Sequence, residues 1–95
     1  MTNFGVCKAF VNGNNGGVYS LNMSISHDGK RLYSYSTCIA ERVSDDEIIV
    51  NTTKYSSSTS RHQYYLRDAM RGVIKETFTK VTVPRNAQHL CQYVK

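Results

Sequence analysis

The chain has 95 residues, 40% hydrophobic and 20% charged, and twelve Lys and Arg against seven Asp and Glu give it a formal charge of +5. That length makes one domain and excludes two. No apolar run approaches the roughly 18 residues a membrane helix needs, so no membrane association is expected. The basic balance favours acidic partners, either nucleic acid or an acidic protein surface.

Cys7, Cys38 and Cys91 are scattered, with no C-x-x-C pair. This argues against a disulfide framework and against a zinc site. Three reduced, mostly buried thiols in a cytoplasmic protein are expected. The first eight residues lack a basic segment leading into an apolar stretch and do not read as a secretory signal. Seven tyrosines and no tryptophan suit a sheet, and also a binding surface built from rigid amphipathic rings.

In chain order, Phe4 to Val11 reads as a first strand, ended by the Asn12–Gly17 loop. Asn and Gly there tolerate positive φ. Val18 to Ser26 alternates Tyr19, Leu21, Met23 and Ile25 with polar residues, the pattern of a strand buried on one face. Asp28-Gly29 is the strongest short hairpin signal. Leu32 to Val43 returns as a second long strand. Ser44 to Glu47 is an acidic turn, without the ligand spacing of a calcium loop. Ile48 to Thr53 is a β-branched strand. The order to this point reads as a four-stranded antiparallel meander.

The stretch from Lys54 to Gln63 changes the apolar period from two to three and four. Ser60 with Gln63 reads as a capping box, opening a helix from about Arg61 to about Ile74. Tyr65, Leu66, Ala69, Met70 and Val73 share one stripe, and His62 falls inside it as a core histidine with a satisfied nitrogen. Tyr64, Arg67, Asp68, Arg71 and Lys75 lie opposite. Gly72 weakens the last turn, and Lys75-Glu76 leads out of the helix. Thr77 to Val83 is strand-like and stops at Pro84. Asn86 to Tyr93 reads as a last short helix. The expected fold is α+β, a four- to five-stranded antiparallel sheet with one main helix packed on one face.

Tyr33-Ser34-Tyr35-Ser36-Thr37-Cys38-Ile39-Ala40, followed by Tyr55-Ser56-Ser57-Ser58-Thr59-Ser60-Arg61-His62 opening a helix, resembles an uncharacterised domain family of small bacteriophage proteins. The resemblance covers residues 32–66 and departs from the pattern at Ser58, where threonine is usual. It implies a phage or prophage setting and action in the host bacterial cytoplasm. It carries over no catalytic residue. From the residues themselves, the serine cluster is expected to bond the strand end, the helix amides and His62.

The functional expectation is a small non-enzymatic binding protein that inhibits a host defence or nucleic-acid-handling machine by occlusion, anti-CRISPR proteins being one such class. Arg31, Tyr33, Tyr35, Arg61, Tyr64, Arg67, Arg71 and Lys75 form the candidate contact face, since arginine and tyrosine are favoured at binding hot spots. The partner is a host protein or ribonucleoprotein complex, and the alternative is direct binding of DNA or RNA through the same basic, tyrosine-bearing surface. An edge strand such as Val18–Ser26 also offers a second copy a place to pair as a homodimer. An enzyme would have to pair His27, His62 or His89 with Asp28, Asp45 or Asp68, and nothing marks a pairing. No catalytic residue, metal ligand or cofactor is assigned.

Overall fold

The computed structural model describes residues 2–13, 16–71, 73, 77–84 and 90. Its elements run α1 (Asn3–Asn12), β1 (Met23–Ile25), β2 (Arg31–Ser34), β3 (Thr37–Ser44), β4 (Glu47–Asn51), α2 (Ser57–Met70) and β5 (Thr77–Val81). The strands form one sheet in the order β1-β2-β3-β4-β5. Among the described residues the architecture is α+β, with a mixed sheet and two helices.

The expected first strand is helix α1. Phe4 to Val11 is apolar almost throughout, so it fits either period. Its ends decide the matter. Thr2 accepts a hydrogen bond from the Gly5 amide at 3.0 Å, a helix N-cap. Gly13 ends the helix at φ +92°, its amide donating to Ala9 O and Phe10 O at 3.3 and 3.1 Å. Arg42 of β3 adds a cation at that end, donating from Nη2 to the carbonyls of Phe10 and Val11 at 3.3 and 3.0 Å.

The Val18–Ser26 segment is not one strand but a tight fold-back. Tyr19 bridges Ser24, and the Ser20 amide donates to Met23 O at 2.8 Å. Ser20 Oγ also accepts from the Met23 amide at 3.3 Å, which gives the backbone a local alternative to continued strand. Leu21, counted as buried by alternation, sits at the tip and is 94% exposed. Asp28-Gly29 does turn the β1–β2 hairpin, with Gly29 at φ +75° and Asp28 Oδ1 accepting from Ser26 Oγ and the Lys30 amide. These two bonds hold the Asp28 carboxyl below its ordinary pKa.

Leu32 to Val43 is likewise two strands. The chain reverses at Tyr35-Ser36, with Tyr35 at φ +55° and its amide donating to Asn22 O at 2.8 Å. A tyrosine in the left-handed region costs about 1–2 kcal/mol. Its alternating neighbours give no sign of a turn. The acidic turn at Asp45-Asp46 joins β3 to β4 as expected. The meander therefore has four antiparallel strands, but β1 to β4 are not the four segments expected.

The sheet departs from antiparallel at β5, which pairs parallel with β4 from Glu47↔Thr77 to Asn51↔Val81. The cause is the helix between them. A chain that crosses over a sheet in a helix returns in its starting direction. Both helices cover one face, where Val6, Cys7 and Phe10 of α1 and Leu66 of α2 bury against Leu32, Ile39, Ile48 and Val50. On the far face Cys38, Ile49, Val83 and Leu90 form a second cluster under Tyr33 and Val81. Glu41 is buried, accepts from the Leu90 amide at 2.7 Å and pairs with Arg31 at 3.2 Å. The expected helix at Asn86–Tyr93, the Gly72 break and the Lys75-Glu76 turn lie outside the described residues, as do His89 and Cys91.

Candidate functional site

Helix α2 starts one turn earlier than the Ser60–Gln63 box suggests. Ser56 is the N-cap, its Oγ accepting from the Thr59 amide at 3.4 Å. Gln63 Nε2 is engaged elsewhere, donating to Asn51 O and Thr53 O at 2.9 and 3.0 Å. That pair of bonds ties the helix to the end of β4 and sets its crossing over the sheet.

The inner side of α2 carries a polar chain, buried at Ser34, Thr59 and His62 and part-buried at Asn3 and Ser20. The Asn3 amide donates to His62 Nε2 at 3.3 Å, so that nitrogen accepts. His62 Nδ1 then bears the proton and donates to Ser34 Oγ at 2.6 Å. The Ser34 hydroxyl donates to Thr59 Oγ1 at 3.2 Å. At the other end Ser20 Oγ donates to Asn3 Oδ1 at 2.5 Å. The chain spans α1, the fold-back, β2 and α2. Tyr35 and Tyr65 flank the imidazole at ring-centroid distances of 5.6 and 6.4 Å. Burial, and then the neighbouring charge of Arg61, lower the His62 pKa, and the neutral ring is the form these bonds require.

Serine, histidine and amide stand in the order of a hydrolytic triad, but the bonds run the other way: His62 donates to Ser34 instead of accepting its proton, and Asn3 donates to the imidazole instead of accepting from it. The serine cluster is expected to bond His62, but the bonds shown reach it only indirectly, Thr59 accepting from Ser34 and Ser34 from His62. The sequence marks neither Asn3 nor Ser34 as a partner of the imidazole. Ser34 is fully buried and His62 is 3% exposed, so the hydroxyl does not meet a substrate in this structure. Both described thiols, Cys7 and Cys38, are buried, and burial pushes their pKa up to about 12, far from the thiolate that nucleophilic chemistry needs.

The expected contact face divides. Arg31 and Tyr33 lie on the far side of the sheet. Arg31 is held by Glu41, while Tyr33 is half-buried over the second cluster, where burial raises its pKa. Tyr35 is 54% exposed at the β2–β3 turn, on the helix side. Arg61, Arg67 and Arg71 are exposed on the solvent side of α2 around Tyr64, which is 52% exposed. Arg71 pairs with Asp68 at 3.5 Å, a bond of little strength at such exposure. Lys75 lies outside the described residues.

Beside this face runs a groove that the sequence did not mark. Ser60, Gln63, Arg67 and Met70 recur at helical spacing down one side of α2 and face Val50, Asn51 and the 52–54 connection across an opening of about 300 Å³. Lys80 of β5 also lines it. Three basic residues, Lys54, Arg67 and Lys80, line it, and there is no carboxylate among its described lining residues. The expected Arg67 could be found from its place on the helix. Lys54 and Lys80 join it only through the parallel return of β5.

Residues 6–80 match a family of unknown function (DUF8033). The chain belongs to that family. The match takes in residues 32–66, which carry the strand-to-helix motif, and it assigns neither an activity nor a phage origin. The DUF8033 span runs from within α1 to within β5 and therefore includes Ser34, His62 and all three groove cations. No curated protein and no solved structure matches the chain. Among the described residues, no helix is long and apolar enough to cross a membrane.

Proposed function

We propose that this protein is a non-enzymatic binding protein whose working surface is the solvent side of α2, and that it blocks a host protein or ribonucleoprotein complex by covering it. The observation that carries this reading is the placement of Arg61, Tyr64 and Arg67 together in solvent on a helix whose other side is locked to the sheet. A helix fixed in that way loses little freedom on binding, and arginine and tyrosine are the residues that anchor interfaces. Tyr35, with Tyr19 and Leu21 at the fold-back, extends the exposed apolar surface beyond the helix. The enclosure of Ser34 and His62 supports a binding role over catalysis. The phage setting and the bacterial cytoplasm as site of action follow from the motif resemblance and belong to the same proposal.

The test is affinity capture from bacterial lysate with the wild-type chain and with a Tyr64→Ala/Arg67→Ala variant, each with and without nuclease. Capture of a defined complex that survives nuclease and is lost in the variant supports the proposal. Equal capture by both forms, or no specific capture, overturns it. Material lost on nuclease treatment points instead to direct nucleic-acid binding.

A further inference from the structure

Lys80 stands in an unusual place for a lysine. Strand alternation puts it on the helix-side face with Phe78, which packs against the main core, and in register with the buried Val50. A cation on that face is tolerated because the groove beside it is open to water. Lys54 arrives from the connection after β4 and Arg67 from α2, so three separate elements each contribute one basic residue to the lining of the same opening. Basic residues gathered at one opening, with no carboxylate among its described lining residues, raise the local potential for anions. Among the described residues, none of the three is engaged in an ion pair. Ser60 adds a hydroxyl to the wall, and Val50 and Met70 add an apolar floor. A single carboxylate would leave two of these charges unmatched. Closely spaced phosphates would match all three.

We infer that the groove between α2 and the β4–β5 pair is a binding site for closely spaced phosphate groups, held by Lys54, Arg67 and Lys80. The site goes beyond the occlusion reading and does not require it. Arg67 borders both surfaces, whereas Lys54 and Lys80 belong to the groove. The phosphates have two sources of the same chemistry, the polyphosphate of a free nucleotide and the backbone of a single-stranded nucleic acid.

The purified chain would be titrated with ATP, with a 20-nucleotide oligo-dT and with inorganic phosphate, and followed by amide NMR shifts and fluorescence anisotropy. Binding of ATP or the oligonucleotide, with shifts gathered at residues 50–54, 60–67 and 80, is the expected result. If three backbone phosphates are neutralised, the logarithm of the oligonucleotide affinity falls with the logarithm of salt at a slope of about −2, an approximately 20-fold loss from about 50 to about 200 mM. Lys54→Gln, Arg67→Gln and Lys80→Gln should each reduce that slope by about 0.7. Lys30→Gln, at the exposed β1–β2 turn, should leave it unchanged. ATP binding without oligonucleotide binding assigns the site to free nucleotides, and the reverse assigns it to single strands. Failure of both ligands to bind at the lower salt overturns the site, as do shifts that spread over the surface or an equal loss in Lys30→Gln. Capture of a nuclease-resistant protein complex leaves each of these outcomes unaffected, so the two proposals fail separately.

Discussion

Arg61 and His62 are neighbours in sequence and opposites in environment. Arg61 is exposed on the solvent side of α2, while His62 is 3% exposed and bonded through both ring nitrogens. A helix turns about 100° per residue, so one step carries the chain from water into the core. The contrast shows how a small domain divides its work. The inner side holds α2 still through Leu66, His62, Thr59 and Gln63. The outer side needs no internal partner and is free to meet something else.

The sharpest way to break that division is to exchange truncations one residue apart. Leu66 is fully buried and Arg67 exposed. Leu66→Ala should cost about 3 kcal/mol through lost burial and the cavity left behind. Arg67→Ala should stay within about 0.5 kcal/mol. Urea unfolding of the two variants measures both, and comparable losses would mean that the two sides are not distinct.

Acid tests the inner side alone. The native pKa of His62 lies below its ordinary 6.5, because burial and then Arg61 disfavour the charged ring. Above pH 6.5 the ring is neutral in both folded and unfolded chains, and this residue adds no pH dependence. Below that pH the unfolded chain takes up the proton first, so stability falls until the pH passes the native pKa. The slope contributed is at most about 1.4 kcal/mol per pH unit. Protonation at Nε2 would also set an N–H against the Asn3 amide that now donates to it. Unfolding followed by urea between about pH 7 and about pH 5 should show this limb, and His62→Gln should flatten it.

That inner side was partly legible in the sequence. The period of three and four found Leu66, Ala69, Met70 and the place of His62, because burial on a helix imposes its own spacing. It did not find Ser34 or Asn3, since partners 28 and 59 residues away leave no local mark. Alternation failed in a different way. It is a property of side chains, whereas the turns at Ser20–Met23 and Tyr35-Ser36 are set by backbone bonds to Ser20 and Asn22 that alternation does not register. The uniform apolarity of Phe4–Val11 fits strand and helix alike, and the caps at Thr2 and Gly13 carried the deciding information. The groove was invisible for a topological reason: Lys54 and Lys80 come together only when β5 pairs parallel with β4.

Smaller effects refine where the helix begins. Ser56→Ala removes the acceptor for the Thr59 amide and should cost about 1 kcal/mol. Ser60→Ala, one turn later, should stay within about 0.5 kcal/mol, because its position is already inside the helix. The opposite ranking in urea unfolding would restore the later start at Ser60.

The smallest expected effect links the two sides. Arg61 is the second cause, after burial, of the lowered His62 pKa. Arg61→Gln removes that repulsion but leaves the imidazole buried and its bonds intact. Stability near pH 7 should change by less than about 0.5 kcal/mol, as for other exposed positions. The native His62 pKa should rise part of the way toward 6.5, so the acid limb should level off at a higher pH. An imidazole-resolved NMR titration of wild type and variant reads this directly. A rise shows that the outer charge is felt across the helix through the protein interior. An unchanged pKa would leave burial as the sole cause and make the two sides electrostatically independent as well as structurally separate.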